Sequence, residues 1–533
     1  MPETLLVVGG GTMGAGIAAV AATGGYEVEL VEPQVDARER AAQYFEREEA
    51  RCGVEGLAAR IRWNAEIPSG SEATVAIEAV PERFEMKRQV FAALARALAP
   101  DALIATNTSS LSVDELADSV SNPQRVIGLH FFNPPPRMRL VEVVRGAQSS
   151  PDAVERGLAI VHALGKTPVV TSDTPGFIVN RVARPFYLQS LRALCRGLAT
   201  VEELDALARG AGFRMGPFEL MDLIGLDVNL ATTQSLYERT GSPRFAPVAL
   251  QEEMIARGEL GRKSGVGFYR YDEGVPSRFE PGVAPTSDSA LAEENVAVVG
   301  LGDLAAELGE AVGARYAHVQ RVENDDMLPD LSAQTTILID TGDGVADRSG
   351  VLERLDAAFG PETLLIADAY ATDVSACARR LRHPERLLGF GILDSLHAQR
   401  IVEIVDLEST SDETLELAQE FFAVLGKASI LVEDAPALFL GRTVGSIVNE
   451  AMIAVHDGVA SPEDIDTAMR FGANYPLGPI AWGRAIRGAR IGRILRRLAD
   501  DEGSVFAPHR SLWLLDVEEV EEEAASAGTA HEA

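Results

Sequence analysis

Cysteine is scarce: the 533 residues hold 3 (Cys52, Cys195 and Cys377), an odd number without CxxC spacing. That excludes a disulfide scaffold and a thiolate zinc site, and it fits a reducing cytosol. Basic residues are also short, 48 against 80 acids, for a formal net charge of −32. Nucleic acid and anionic membrane surfaces both require a basic face, so neither is expected as a partner. No apolar run reaches the roughly 18 uninterrupted residues of a membrane span. The opening MPETLLVVGGG has no basic segment ahead of its apolar run, so no signal peptide is expected and the location reads as cytoplasmic. Lysine is the rarest of the charged residues, with only Lys87, Lys166, Lys263 and Lys427 among the 48 bases. Genomic base composition accounts for such an imbalance, but it draws attention to where the four remain.

What is present is ordinary for a globular chain with real cores: 46% apolar and 24% charged residues. The length suggests three to four domains at roughly 150 residues each. Thr4 to Val8 is a short apolar run closed by Gly9-Gly10-Gly11, and a second run, Tyr26 to Val31, ends at Glu32. Further strand-like runs at Thr74 to Ala79, Leu103 to Thr106, Arg125 to Leu129 and Leu140 to Val144 alternate with helical segments such as Met86 to Leu98. This alternation predicts a doubly wound parallel sheet. After Asp173 the pattern turns helical, with Ile178 to Cys195, Val201 to Ala211 and Gly225 to Tyr237 reading as helices.

An internal repeat organises the rest. NPQRVIGLHFFNPPPRMRLVEVV (Asn122 to Val144) lies over HPERLLGFGILDSLHAQRIVEIV (His383 to Val405) at an offset of 261, which also carries Lys166 onto Lys427 and Arg181 onto Arg442. The predicted divisions are a Rossmann-type α/β domain at 1–172, an all-α domain at 173–271 and a linker at 272–295. A degenerate second copy of both follows at 296–432 and 433–515, and then an acidic disordered tail at 516–533. Positions kept in both copies read as scaffold, and positions unique to the first read as chemistry. His130 becomes Gly391, Asn133 becomes Asp394, Ser109 becomes Tyr370 and Asn180 becomes Gly441, so the second copy reads as catalytically dead.

Gly9-x-Gly11-x-x-Gly14 follows a strand and opens a helix, the arrangement that brings a pyrophosphate to a helix N-terminus. Glu32, 18 residues on from Gly14, can bind ribose hydroxyls and repel a 2′-phosphate, which favours NAD over NADP. His130 closes a strand at the ligand side of the sheet, where an imidazole can act as a base near neutral pH. A hydrogen-bonded structural histidine is the alternative, and the loss of His130 from the second copy weighs against it. Glu142, an acid inside the apolar run Leu140 to Val144, needs a partner, and His130 is at hand. Because Glu403 survives in the second copy, a structural role for Glu142 stays open. Asn107-Thr108-Ser109-Ser110 follows another strand and faces the same crevice, with Ser109 preferred for function and Ser112 as the cap of the next helix. Asn180 is placed to add a polar group from the first helix after the junction.

GGGTMGAGIA, EAVPERFEMK, NTSSLSVDELA, HFFNPPPRMRLVEVV, DTPGFIVNRVARP, MGPFELMDLIGLDV and GRKSGVGFYRY, in this order and spacing, resemble the NAD-dependent 3-hydroxyacyl-CoA dehydrogenases over residues 1 to about 272. The two-copy chain is similar to the 3-hydroxyadipyl-CoA and 3-hydroxybutyryl-CoA dehydrogenases of bacterial phenylacetate degradation. The resemblance implies oxidation of a (3S)-3-hydroxyacyl-CoA to the 3-oxoacyl-CoA with NAD, in fatty acid or phenylacetate catabolism and without a metal. It implies that His130 is the base, Glu142 its dyad partner, and Ser109 and Asn180 the hydrogen-bonding partners of the substrate oxygen. Gly9, Gly11, Thr12, Met13, Gly14, Glu32, Glu82, Lys87, Asn107, Asn133 and Lys263 fall on cofactor-binding positions. Glu32 stands where an aspartate is usual, and EREEAR replaces the serine and lysine often offered to CoA, with Arg47 and Arg51 as substitutes and Arg137 as a further nearby cation. With its first strand at Thr4, the chain is expected to lack an N-terminal hydratase module. The second copy is expected to supply within one chain the surface that pairs single-copy relatives, an intrachain pseudo-dimer, with further homo-oligomers left open. Two alternatives stand: a sister dehydrogenase for a non-CoA hydroxy acid such as carnitine or a sugar acid, and a non-enzymatic NAD-binding protein.

Overall fold

The computed structural model describes residues 3–53, 56–271, 274, 276–282, 293–323, 325–342, 348–393 and 395–517. Much of the expected linker (272–273, 275 and 283–292), most of the expected tail (518–533) and Asp394 lie outside the described residues.

In chain order the first repeat opens with β1 (Thr4–Val8), α1 (Thr12–Thr23), β2 (Glu27–Val31), α2 (Val35–Cys52), β3 (Ile61–Asn64) and β4 (Val75–Glu78). It continues with α3 (Phe84–Ala97), β5 (Leu103–Thr106), α4 (Val113–Ala117), β6 (Val126–Phe131), β7 (Leu140–Arg145), α5 (Pro151–Ala163) and β8 (Thr167–Ser172). Helices α6 (Val179–Val182), α7 (Arg184–Cys195), α8 (Val201–Gly210), α9 (Pro217–Ile224), α10 (Leu226–Thr240) and α11 (Ala249–Ala256) follow. The second repeat runs β9 (Asn295–Val299), α12 (Asp303–Gly313), β10 (His318–Val322), β11 (Ile337–Asp340), α13 (Ser349–Ala358), β12 (Leu364–Asp368) and α14 (Val374–Ala378). Then come β13 (Leu387–Gly391), β14 (Ile401–Asp406), α15 (Asp412–Val424), β15 (Ala428–Glu433), α16 (Leu438–His456), α17 (Pro462–Gly472), α18 (Pro479–Ile486) and α19 (Gly488–Glu502).

These elements gather into two compact units that cut across the repeat. The first holds residues 1–183, 238–241 and 454–478; the second holds 184–237, 242–453 and 479–533. In the first unit the sheet order is β3-β2-β1-β4-β5-β6-β7-β8. Strands β1 to β6 are parallel, β7 runs antiparallel to β6, and β8 is parallel to β7. Helices cover both faces, so alternate residues of β1 enter different cores: Leu5 and Val7 pack with Ile17 and Leu30, whereas Leu6 and Val8 pack with Phe91 and Ile104. Helix α1 is buried along most of its length because its small Ala and Gly residues let it lie close on the sheet.

The second unit carries a seven-stranded sheet of order β10-β9-β11-β12-β13-β14-β15, with β13 and β14 antiparallel. It repeats the first sheet without a counterpart of β3 among the described residues. The single helix expected over Ile178 to Cys195 is instead two, α6 and α7, broken at Ala183. Pro185 explains the break, since a proline removes a helical donor and clashes with the carbonyl four residues back. Helix α16, the longest and most apolar of the second repeat, is buried along nearly all of its length within the protein.

Candidate active site

The loop after β1 is shaped by its glycines. Gly9 has φ +110°, and a Cβ there would stand 2.6 Å from the Ala79 carbonyl oxygen. A Cβ on Gly14 would stand 1.8 Å from the Gly9 carbonyl oxygen, so the helix can start this close only with glycine. At Gly11 nothing lies within 4 Å, leaving backbone open at the N-terminus of α1. Thr12 is exposed and Met13 partly so. Beside this opening, the buried Glu32 at the end of β2 accepts from Gly10 N at 2.9 Å and Gln34 N at 2.9 Å. Open first-turn amides, a close glycine turn and a carboxylate beside them fit an NAD ribose and pyrophosphate.

Across the crevice a buried network joins β4, β5 and α3. Lys87, 1% exposed, donates to Glu78 Oε1 at 2.8 Å, Glu78 Oε2 at 3.0 Å and the Val80 carbonyl at 3.2 Å, and lies 3.2 Å from Glu82 Oε2. Glu82 Oε1 accepts from Thr108 Oγ1 at 2.5 Å, Ser109 N at 3.0 Å, Ser110 N at 3.0 Å and Ser110 Oγ at 2.9 Å. Burial alone pushes the Glu82 carboxyl up; the Lys87 charge and the bonds from Thr108, Ser110 and Ser109 outweigh it and hold the group below its usual range. Lys87 therefore acts on the crevice through Glu82. Its pairing has a counterpart in the second sheet, where Arg348 binds Asp340 at Oδ2 at 2.9 Å. Asn107 Oδ1 accepts from Phe131 N at 2.8 Å and ties the ends of β5 and β6 together.

His130 and Glu142 are direct partners in the antiparallel pairing of β6 and β7. His130 Nδ1 lies 2.6 Å from Glu142 Oε2, with His130 6% and Glu142 0% exposed. Glu142 Oε1 accepts from Ile178 N and Val179 N, each at 3.0 Å, at the start of α6. Phe177, with φ +48°, turns the chain so that both amides face the carboxylate. The imidazole is held between aromatic rings, Phe132 at 4.6 Å and Phe177 at 5.7 Å between centroids. With Nδ1–H donated to the carboxylate, Nε2 is left as the basic nitrogen. Asn180 follows Val179 on α6 and is partly buried, while Ser109 is exposed on the loop after β5.

The second copy shows which part of this is scaffold. Glu403 Oε1 accepts from Phe439 N at 2.8 Å, Leu440 N is shared between Oε1 at 3.4 Å and Oε2 at 3.3 Å, and Leu438 has φ +46°. Its other oxygen, which in the first copy meets the histidine, accepts instead from the Tyr370 hydroxyl at 2.7 Å. Tyr370 is fully buried and fills the crevice. A Cβ on Gly391 would stand 2.5 Å from Tyr370 Cε1, and one on Gly441 2.9 Å from Cδ1. The three replacements at 109, 130 and 180 thus fit together in space: two side chains are missing and a ring occupies their place. The carboxylate survives because it caps the helix start in both copies.

Of the residues singled out from the sequence, the first unit brings together the glycine loop, Glu32, Glu82, Lys87, Asn107, Ser109, His130, Glu142 and Asn180 on the elements that face one sheet end. Asn133 is exposed in the loop that follows β6. Lys263 belongs to the other unit, where it pairs with Asp227. Arg51 is tied to Glu48, its Nε 3.0 Å from Oε2, and Arg137 is exposed. Lys166 donates to the Pro135 and Met138 carbonyls at 2.7 and 2.8 Å, a scaffold role. Glu78, Phe132 and Phe177 were not singled out from the sequence, while Thr108 belongs to the 107–110 stretch that was. Glu78 is an acid inside an apolar run, the same signal that exposed Glu142.

Comparison with known proteins agrees with this geometry. The NAD-binding domain of 3-hydroxyacyl-CoA dehydrogenases matches residues 4–174 and again 343–435, and the C-terminal domain of the same enzymes matches 176–271 and 439–523. The chain is 37% identical over 526 residues, 94% of each chain, to 3-hydroxyadipyl-CoA dehydrogenase of Escherichia coli (strain K12). It is 36% identical over 281 residues to a probable 3-hydroxybutyryl-CoA dehydrogenase of Bacillus subtilis (strain 168), covering 51% of this chain and 98% of the relative. The crystal structure of 3-hydroxybutyryl-CoA dehydrogenase from Escherichia coli K12 superposes with a TM-score of 0.76 at 33% identity, over 98% of this chain and 100% of that one. The chain therefore belongs to the 3-hydroxyacyl-CoA dehydrogenase family and carries both of the family's domains twice.

Proposed function

We propose that the protein oxidises a (3S)-3-hydroxyacyl-CoA to the 3-oxoacyl-CoA with NAD, and that the first copy alone performs the chemistry. The observation that carries this reading is the buried contact of 2.6 Å between His130 Nδ1 and Glu142 Oε2. It leaves Nε2 free to take the hydroxyl proton and keeps the resulting imidazolium beside a carboxylate. NAD, when bound along the glycine loop and Glu32, supplies the hydride acceptor. Ser109 and Asn180 hold the substrate oxygen. Glu82 orders the 108–110 loop that carries Ser109, and the 9–14 loop together with Thr12, Met13, Glu32, Asn107 and Asn133 binds the cofactor. The names borne by the relatives favour 3-hydroxyadipyl-CoA or 3-hydroxybutyryl-CoA as substrate, and free cysteines support a cytoplasmic location.

The reading of the second copy as a built-in partner rests on reciprocal packing. In the first unit, α17 of the second repeat lies on β7, β8 and α6. In the second unit, α8 of the first repeat, its counterpart at an offset of 261, lies on β14.

NADH formation with 3-hydroxyadipyl-CoA, 3-hydroxybutyryl-CoA and the matching free hydroxy acids tests the substrate class. Turnover of the thioesters and not of the free acids is the expected result. Equal turnover of free acids would move the protein to the non-CoA dehydrogenases.

A further inference from the structure

We infer that the second copy is also part of the catalytic apparatus of the first, because the C-terminal end of α17 is the wall against which the His130–Glu142 pair is held. The inference rests on the reading of His130 as the base and goes beyond the pairing of copies, since it gives Phe471 and Gly472 a positioning role at the reacting atoms.

Gly472 sits where almost no side chain fits. A Cβ there would stand 2.6 Å from Leu140 Cδ2, 2.9 Å from Val179 Cγ2 and 3.7 Å from Phe132 Cζ. Each neighbour leads to the pair. Phe132 packs against the His130 ring at 4.6 Å between centroids, tilted by 55°. Val179 N donates to Glu142 Oε1 at 3.0 Å. Leu140 lies on β7, the strand that carries Glu142. The segment is anchored nearby: Ser172 N donates to the Val459 carbonyl at 2.8 Å, Ser172 Oγ to the Gly458 carbonyl at 2.9 Å, and Arg181 pairs with Asp457 at 2.6 Å. Phe471, next in line, lies under the Arg139 guanidinium at 4.3 Å, and Arg139 carries the backbone into β7.

The equivalent contact in the second unit is an internal control. There Gly210 makes the close approach, with a Cβ 2.9 Å from Ile401, and Arg400 N donates to the Gly210 carbonyl at 2.9 Å. At the offset of 261, Ile401 corresponds to Leu140, Arg400 to Arg139, Gly210 to Phe471 and Ala211 to Gly472. The glycine has moved by one position between the two contacts. Only on the side that serves the histidine does the helix end bring a ring to the arginine and a bare backbone to Phe132 and Val179. On the side that serves the filled crevice the position of Phe471 is Gly210, and its close approach is to Ile401.

The test is made in the full-length protein with Gly472→Ala and Gly472→Val. Displacing Phe132 and the Val179 amide misaligns the base, so kcat is expected to fall in the order alanine, valine, reaching about ten- to a hundredfold. The acid limb of the pH profile of kcat/KM shifts with it, while calorimetric NAD affinity stays at the wild-type value because the glycine loop lies on other strands. Wild-type kcat and pH profile in a folded Gly472→Val protein would overturn the inference. Parallel loss of NAD affinity, kcat and melting temperature would overturn it too, by showing a general structural role. If the valine variant does not fold, Phe471→Ala, which only removes atoms, decides by the same kcat and pH-profile readouts. Wild-type turnover in His130→Ala would remove the functional reading itself, and this inference with it.

Discussion

Glu142 serves two masters with its two oxygens, and the second copy separates them. One oxygen caps the start of α6 through two backbone amides, a duty Glu403 keeps; the other meets His130, a duty Glu403 has exchanged for the Tyr370 hydroxyl. Glu142→Ala should therefore lose catalysis and also stability, by about 2 kcal/mol or more, since it orphans two buried N–H groups. A denaturant melt compared with that of His130→Ala, which leaves the cap intact, checks this. The buried acid was legible in the sequence because carboxylates do not sit in apolar strands unpaired, and the same rule applied to Glu78 points to Lys87. Tyr370 was not legible as a plug, since only the fold brings Gly391 and Gly441 against one ring.

Glu403 also gives a pH signature. Burial raises its carboxyl from 4.5 to about 7, against the pull of the Tyr370 hydroxyl and the Phe439 and Leu440 amides. Between the two values the folded state holds a proton that the unfolded state has lost, so raising the pH through that range weakens folding. The group's contribution to stability is full below about pH 4.5 and is lost as the pH rises through 7, about 3 kcal/mol in all. Asp205, raised to about 7 chiefly by burial, adds in the same direction. The melting temperature of wild type should fall between pH 5 and 8 on account of these groups. Glu403→Gln should flatten part of that fall, and an unchanged slope in the variant would contradict the assignment.

At the scale of elements, the glycine loop was the most legible feature, because its spacing encodes a steric demand. A Cβ at Gly14 falls 1.8 Å from the Gly9 carbonyl oxygen, so Gly14→Ala must push α1 off the sheet. NAD affinity measured by calorimetry should drop by two orders of magnitude or be lost, with secondary structure by circular dichroism little changed. Strands read from apolar runs appeared close to their expected bounds, as buried parallel strands leave continuous signals. Helix boundaries were harder. The break at Ala183 depends on Pro185 and on the sheet's need for a helix start at Val179, and the latter is a tertiary requirement that periodicity does not carry.

For the whole molecule, the repeat was legible but its use was not. Residues 261 apart reveal two copies, yet nothing in that spacing says that helix α17 belongs with the first sheet or α8 with the second. Compactness follows packing: α17 of the second repeat lies on the first sheet, and α8 of the first repeat lies on the second. One consequence is numerical. With the second crevice filled by Tyr370, NAD titration should give one site per chain, and two equivalent sites would contradict the account of the second copy.

The most direct test of the central claim, that the first copy's histidine is the base for NAD-dependent oxidation, is paired turnover and NAD binding in His130→Ala. Turnover of the thioester should fall by about 10²- to 10⁴-fold while NAD still binds with wild-type affinity. Turnover within a few fold of wild type in a variant that binds NAD normally would contradict it.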